Sequence, residues 1–233
     1  MTVFYLSEIN SNQVTLSESE SKHCIRVLRK SIGDTIHLCD GKGSLFECKI
    51  IEANPKKCKL DIVNTERFDK PNHYIHIAVA PTKNIDRIEW FVEKSVEFGI
   101  QEISFLKTSH SERKSIKLER IEKIAISAMK QSQQWHKPII NDLTNYGDFL
   151  PQLDDSYQKL IAYVDLENNH QLKDVAIPNK KICILIGPEG DFSPEEIKNA
   201  FALNFKPVGL GKSRLRTETA ALAACHTLNL IND

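Results

Sequence analysis

The chain has 233 residues, of which 41% are hydrophobic, and its 31 basic and 31 acidic residues cancel to a formal net charge of zero. This hydrophobic content suffices for packed cores and excludes an intrinsically disordered chain. The neutral balance argues against a protein that coats nucleic acid without specificity, but it allows an RNA enzyme whose basic residues gather on one face.

Membrane and secretory signals are absent from the sequence. No apolar run approaches the roughly 20 residues that a membrane-spanning helix needs. The N-terminal segment MTVFYLSEIN lacks the basic and then apolar pattern of a secretory leader, so we expect a cytoplasmic protein without membrane attachment. The six cysteines form no CxxC pair, which favours buried, reduced thiols over a zinc site or a disulfide framework.

The first third of the chain is predicted to be a small β-barrel with one helix. Strand candidates cover residues 3–6, 14–16, 34–39, 45–53 and 57–63. Ser17 and Glu20 form a capping box that opens a helix ending near Lys30. The sequence Asp40-Gly-Lys-Gly43 predicts a hairpin turn between two strands.

Basic residues recur on this predicted helix. His23, Arg26 and Lys30 have the spacing that brings side chains together on one face of an α-helix, and Arg29 lies beside them. Most such stripes are simply solvated, so the residues alone leave a role in RNA binding open.

The pattern changes after Asp69-Lys70-Pro71-Asn72, because Pro71 interrupts regular structure. We therefore predict one domain over residues 1–70 and another over residues 71–233. In the second domain strands alternate with helices, which is typical of an α/β fold. Its strands are predicted at residues 73–80, 103–106, 138–143 and 159–164, and its helices at residues 84–98 and 117–134.

The last fifth of the chain repeats one plan twice. Residues 181–186 form an apolar strand, residues 187–192 a glycine loop, and Ser193 with Glu196 a capping box for the next helix. Residues 207–210 form a short strand, residues 211–216 a loop, and Thr217 is predicted to cap a helix that runs to about Leu230.

Two strand–loop–helix corners at the carboxyl ends of parallel strands are where such sheets bind ligands. Glycine loops also let backbone N–H and C=O groups approach a flat heterocycle closely. The spacing therefore predicts a small-molecule pocket between residues 186–191 and 210–217, with two purely structural turns as the alternative.

The residues of these two loops resemble a known signature. Ile186-Gly-Pro-Glu-Gly190 together with Leu210-Gly-Lys-Ser-Arg-Leu-Arg-Thr-Glu-Thr-Ala220 resembles the SPOUT methyltransferases, and within them the RsmE family of 16S rRNA (uracil-N3)-methyltransferases. The segment from His23 to Arg29 is also similar to that family. Asp191, Lys130 and Gln134 depart from it, standing where a glycine, an acid and an arginine are common.

The resemblance implies an α/β domain with a deep trefoil knot that binds S-adenosyl-L-methionine, an N-terminal PUA-like domain that binds RNA, and a homodimer. It implies a uridine of 16S rRNA in the small ribosomal subunit as the substrate. Two alternatives stay open: a related SPOUT enzyme acting on tRNA or on a ribose 2′-hydroxyl, and a non-catalytic RNA-binding assembly factor.

Site residues follow from the same resemblance. Arg216 would stabilise the charge that appears on O2 and O4 when uracil loses its N3 proton. Glu218 is the second catalytic candidate, with a first-turn acid favoured by the helix dipole as its alternative. Glu189 is more readily interpreted as a carboxylate that organises its loop than as a general base. No metal is expected, because a sulfonium methyl donor is already activated by its positive charge.

The binding residues implied by the family fall into two sets. The cofactor set is Leu185, Ile186, Gly187, Pro188, Glu189, Gly190, Leu210, Gly211, Leu215, Arg216 and Thr217. The RNA set is His23, Arg26, Arg29, Lys30, Lys83, Arg113 and Arg214. Trp135 has two interpretations, an exposed ring that stacks on a base and a tryptophan of the core or of a dimer interface.

Overall fold

The computed structural model describes residues 2–164 and 170–233. The chain divides into two compact units, Met1–Lys70 with Met129–Lys137, and Pro71–Ala128 with Pro138–Asp233. The difference from the predicted domains of residues 1–70 and 71–233 is that Met129–Lys137 belongs with the first unit.

The first unit contains a five-stranded sheet. Its strands are β1 (Val3–Tyr5), β2 (Gln13–Thr15), β3 (Thr35–Cys39), β4 (Ser44–Glu52) and β5 (Lys59–Arg67), in the order β1-β3-β4-β5-β2. Strand β1 is parallel to β3, and the other pairs are antiparallel. The predicted hairpin turn joins β3 to β4, where Asp40 Oδ1 accepts hydrogen bonds from the N–H groups of Lys42 at 2.7 Å and Ser44 at 3.0 Å.

Backbone hydrogen bonds attach the segment Met129–Lys137 to this hairpin. The Gly43 N–H donates to the Trp135 carbonyl at 2.9 Å, and the Lys137 N–H donates to the Gly41 carbonyl at 2.8 Å. Trp135 is only 8% exposed, and its ring lies 5.5 Å from that of Phe68. The interpretation of Trp135 as an exposed stacking surface is therefore wrong, and the core interpretation is confirmed.

The basic helix of the first unit is not one regular α-helix. Helix α1 covers Glu18–Lys22, with Ser17 as its N-cap, and a π-helical turn follows at His23–Val27. The Leu28 N–H donates to the His23 carbonyl five residues earlier. A π turn holds more residues than an α turn, and Lys30 lies beyond it, so the prediction of one α-helix ending near Lys30 is wrong.

The second unit is built on a sheet of six parallel strands. These are β6 (Tyr74–Val79), β7 (Glu102–Lys107), β8 (Ile139–Asn145), β9 (Tyr157–Ala162), β10 (Lys181–Ile186) and β11 (Lys206–Val208). Their order is β11-β9-β10-β6-β7-β8, and every pair in the sheet is parallel, which confirms the predicted α/β class. The apolar run of β10 is buried from Ile182 to Ile186, as a central parallel strand requires.

Helices follow most of these strands. They are α2 (Ile85–Glu97), α3 (Leu118–Ser132), α4 (Tyr146–Phe149), α5 (Leu172–Val175), α6 (Pro194–Ala202) and α7 (Thr217–Asn232), with a 3₁₀ turn at Leu150–Gln152. The predicted capping box of Ser193 and Glu196 is present at α6. The predicted cap of α7 is wrong, because Arg216 occupies the N-cap position and Thr217 is the first helical residue.

The cysteines behave as the sequence predicts. All six are free and buried, and burial raises the pKa of the Cys39 thiol to about 11. Across residues 2–164 and 170–233, no helix is both long and apolar enough to cross a membrane. The same residues contain no group of three or more histidine, cysteine or acidic side chains placed to hold a metal ion.

Candidate active site

A cavity of about 550 Å³ lies at the carboxyl ends of β9, β10 and β11, where the sequence predicts a small-molecule pocket. Its volume falls within the usual range for small-molecule sites. The two glycine loops form much of its wall. From the expected cofactor set, the lining contains Ile186, Gly187, Pro188, Glu189, Leu210, Gly211, Leu215, Arg216 and Thr217.

Two residues of the expected set lie outside this lining. Leu185 is fully buried in the hydrophobic core of the second unit. Gly190 turns its carbonyl toward His110, whose Nδ1 lies 3.0 Å away. His110 therefore holds the Gly190 end of the loop from the segment after β7.

Each glycine loop has a position that favours glycine. A Cβ atom on Gly187 would lie 3.2 Å from Asp191 Oδ1 and from the ring of Phe192. Gly211 has a φ of +105°, which side chains rarely tolerate. A hydrogen bond of 3.0 Å from the Thr217 hydroxyl to the Gly187 carbonyl fastens the two loops to each other.

Sequence reasoning missed Gln171 as a residue of the cavity. Its Oε1 accepts a hydrogen bond of 2.8 Å from the Gly211 N–H, and its Nε2 would lie 2.7 Å from a Cβ on Gly209. The side chain thereby fixes the second glycine loop. Gln171 precedes the short helix α5, and no motif or periodicity in the sequence points to this contact.

Asp191, which replaces a glycine common in the family, has a positive φ of +61°. This backbone conformation explains why glycine suits the position, and aspartate is among the few residues that also adopt it. Its carboxylate makes two further bonds, accepting from the N–H of Phe192 at 2.8 Å and from that of Val164 at 2.9 Å. The side chain thus ties the end of β9 to the first glycine loop.

A second cavity, of about 370 Å³, lies between α2 and the first turn of α7. Its lining is Asp86, Arg87, Trp90, Arg216, Glu218 and Thr219. Arg216 is the residue that lines both cavities. The Glu218 side chain is 8% exposed, and its Oε1 lies 3.7 Å from Nη1 of Arg87. Its Oε2 has no hydrogen-bond partner among the described residues.

Two of the expected RNA-binding residues support the first glycine loop. The Arg113 guanidinium donates to the carbonyls of Thr82 and Lys83. The Lys83 N–H donates to Glu189 Oε1 at 3.3 Å, which agrees with the interpretation of Glu189 as a loop-organising carboxylate. The Lys83 ammonium is exposed and pairs with Glu112 at 2.9 Å, a contact that raises the pKa of the lysine.

The other expected RNA-binding residues lie in two places. Arg214 is exposed and lines the larger cavity. In the first unit His23, Arg26 and Arg29 are exposed, and Lys30 is half-buried.

Comparison with known proteins identifies the relatives of the chain. A family model described as an RNA methyltransferase domain matches residues 69–229, and one described as an RNA methyltransferase PUA domain matches residues 16–63. A protein of Mesomycoplasma hyopneumoniae named ribosomal RNA small subunit methyltransferase E is 30% identical, over 94% of this chain and 95% of its own. A protein of the same name from Buchnera aphidicola is 28% identical, over 97% of this chain and 91% of its own.

Solved structures agree with these matches. A probable rRNA-methyltransferase from Porphyromonas gingivalis is 43% identical, with a TM-score of 0.91 and 99% of each chain covered. A ribosomal RNA small subunit methyltransferase E from Neisseria gonorrhoeae, solved with S-adenosyl methionine, is 29% identical, with a TM-score of 0.89 and coverage of 100% of this chain and 98% of that one. The expected PUA-like and SPOUT-like folds are confirmed, whereas the knot stays a prediction. The chain therefore belongs to the RNA methyltransferase family that includes the ribosomal RNA small subunit methyltransferases E.

Proposed function

We propose that the protein is an S-adenosyl-L-methionine-dependent methyltransferase that methylates N3 of a uridine in 16S rRNA of the small ribosomal subunit. The observation that carries the proposal is the cavity of two fastened glycine loops at the carboxyl ends of β9, β10 and β11. The names of the relatives and the ligand of the gonococcal structure support the reaction and the methyl donor.

The residues of the larger cavity fit this methyl donor. Ile186, Leu210 and Leu215 offer apolar contacts, and the two loops offer backbone polar groups next to glycines that leave room for close approach. When bound, S-adenosyl-L-methionine supplies a methyl group on a positively charged sulfur.

Arg216 and Glu218 are the proposed catalytic residues. Arg216 lines both cavities, which supports it as the residue whose guanidinium stabilises negative charge on the oxygens of a deprotonated uracil. Glu218 lines the cavity next to the methyl-donor site, with one carboxylate oxygen free of hydrogen-bond partners among the described residues.

RNA binding and assembly belong to the same proposal. His23, Arg26, Arg29 and Lys30 would contact phosphates, because exposed basic side chains supply the sequence-independent part of RNA affinity.

We propose a homodimer in the cytoplasm. Phe98, which is 39% exposed at the end of α2, and Leu230, which is 64% exposed near the end of α7, support it as apolar surface available to a second copy.

The test measures methyl transfer from labelled S-adenosyl-L-methionine to small ribosomal subunits that lack the modification, followed by nucleoside analysis. The wild type should produce N3-methyluridine, and Arg216→Ala should lower kcat roughly 10²- to 10³-fold while retaining donor binding, because it removes one charge-stabilising group. Arg120→Ala is the matched control, since Arg120 is an exposed arginine paired with Glu89 outside both cavities.

Two outcomes would contradict the proposal. A labelled ribose or a labelled tRNA in place of N3-methyluridine would indicate the related enzyme class. Absence of methyl-donor binding in calorimetry, with RNA binding retained, would indicate a non-catalytic RNA-binding protein.

A further inference from the structure

We propose that the second cavity, between α2 and the first turn of α7, holds the target base and selects uracil over cytosine. The inference rests on the proposed function and extends it to Asp86, Arg87 and Trp90, which the sequence did not indicate. It is carried by the chemistry of the cavity wall and by Arg216, the residue that lines both this cavity and the methyl-donor site.

The buried carboxylate of Glu218 is the first observation. Its side chain is 8% exposed, and its Oε2 has no hydrogen-bond partner among the described residues. A buried acceptor without a donor destabilises the protein, so the position favours a ligand that brings an N–H group. The imide N3–H of uracil is such a donor.

The neighbouring charges complete a pattern that matches uracil. Along its pairing edge uracil presents an acceptor, a donor and an acceptor, namely O4, N3–H and O2. The cavity offers the carboxylate of Glu218 as an acceptor for N3–H and the guanidinium groups of Arg87 and Arg216 as donors, and its lining also includes the carboxylate of Asp86. Cytosine presents an amino group and an N3 atom without a proton. The lone pair of this N3 would face the carboxylate of Glu218 and repel it.

An aromatic face is also available. The chain has two tryptophans; Trp135 is 8% exposed in the first unit, whereas Trp90 is 43% exposed and lines this cavity. Unstacked RNA bases bind on such rings, and enzymes that modify a base take it out of its helix to reach it. The volume of about 370 Å³ lies within the range of small-molecule sites.

The arrangement gives each group a defined part in the reaction. The Glu218 carboxylate takes the proton from N3, and the two guanidinium groups stabilise the charge left on O2 and O4. The N3 electron pair then bonds to the methyl carbon, while the carbon–sulfur bond breaks and leaves its electron pair on a neutral thioether. Arg216 lines both cavities, so it is near the base and near the methyl donor when each cavity is occupied as proposed.

A binding experiment tests the cavity without catalysis. In Trp135→Phe, Trp90 is the remaining tryptophan, so its emission reports on this cavity alone. We expect uridine 5′-monophosphate at millimolar concentration to quench the emission more strongly than cytidine 5′-monophosphate. Adding Glu218→Gln should remove the difference. Equal quenching by the two nucleotides, or no quenching by either, would overturn the inference.

A kinetic experiment tests the proton acceptor. Glu218→Gln should lower kcat roughly 10²-fold with unchanged donor affinity in calorimetry. Small subunits assembled with 5-fluorouridine should recover part of this loss, because fluorine makes the imide more acidic, and a purely structural role of Glu218 would give no such recovery. Glu195→Gln is the matched control, since Glu195 is an exposed first-turn acid of α6.

The results separate this inference from the function on which it rests. If the wild type transfers no methyl group to small subunits, the proposed function itself fails. If the wild type is active but Glu218→Gln matches it, or if 5-fluorouridine restores nothing, only the assignment of the base site fails.

Discussion

The two ends of the six-stranded sheet use polar groups in opposite ways. Toward the amino ends of β6, β7 and β8, buried and half-buried polar side chains bond to each other. The Tyr74 hydroxyl donates to Glu102 Oε2 at 2.8 Å, and the Asn141 amide donates to Glu102 Oε1 at 2.6 Å. His76 Nε2 lies 2.8 Å from the Ser104 hydroxyl.

At the carboxyl ends of β9, β10 and β11 the two glycine loops border an open cavity, and polar side chains such as those of Gln171, Arg214 and Arg216 line it as well. Groups satisfied inside the protein contribute to folding, whereas groups left open contribute to ligand binding. The comparison shows that, in this sheet, the residues that stabilise the fold differ from the residues that bind the ligand. Substitutions at the two ends should therefore separate the two properties.

The largest expected effect is at the amino ends of β6, β7 and β8, where the polar side chains bond to each other. It is a dependence of stability on pH. Burial lowers the pKa of His76 from 6.5 to about 4. The folded protein therefore keeps His76 neutral, while the unfolded chain takes up a proton as the pH falls below 6.5. His76 therefore does not reduce the free energy of unfolding above pH 6.5. As the pH falls toward 4, the free energy of unfolding decreases by roughly 3 kcal/mol in total because of this residue.

Urea unfolding at a series of pH values measures this loss. In His76→Phe the part of the slope between pH 6.5 and 4 that comes from His76 should vanish, while methyl-donor affinity at pH 7 stays at the wild-type value. Equal slopes in the two proteins would show that His76 does not contribute, and a loss of donor affinity would break the separation of the two ends.

The next effect is a loss of donor affinity at the carboxyl ends of β9, β10 and β11, where the glycine loops border the larger cavity. Gly211→Val forces a β-branched side chain into a φ of +105°, which costs about 2 kcal/mol. If this loop binds the donor, affinity measured by calorimetry should fall roughly 10- to 100-fold. Gly147→Ala is the matched control, because no atom lies within 4 Å of its added Cβ, and unchanged affinity in Gly211→Val would contradict the role of the loop.

The smallest effect tests the bond that fastens the two loops. Thr217→Val keeps the shape of the side chain but removes the hydroxyl that donates to the Gly187 carbonyl at 3.0 Å. The free energy of unfolding should fall by about 1 kcal/mol, and donor affinity should fall with it. The half-buried Thr227 of the same helix provides the control substitution Thr227→Val. If Thr227→Val lowered the free energy of unfolding and donor affinity more than Thr217→Val does, the hydrogen bond between the two loops would not be the cause of the loss.

Local signals in the sequence predicted much of this architecture. The apolar run of Lys181–Ile186, the capping box of Ser193 and Glu196, and the hairpin turn after β3 all appear where expected. Each depends on residues that are close along the chain. The glycine loops belong to the same class, since positive φ and close approach depend on the glycine itself.

What the sequence did not predict depends on contacts between distant residues. Gln171 bonds to Gly211, 40 residues away, and no periodicity reports such a pair. The π turn at His23–Val27 changes an otherwise helical pattern without any breaking residue. Uracil as the target and the knot came from family resemblance alone, because hydrophobic patterning carries no information on threading or on substrate.

The segment Met129–Lys137 has a consequence for how the protein is made. Trp135 and Lys137 supply the backbone partners of Gly43 and Gly41, so two hydrogen bonds at the turn between β3 and β4 depend on a segment far along the chain. On a translating ribosome those partners emerge only after β6, α2, β7 and α3 have been synthesised. The domain that is translated first therefore gains these contacts only when the second is well under way. A fragment that stops at Lys70 leaves Phe68 without its aromatic neighbour.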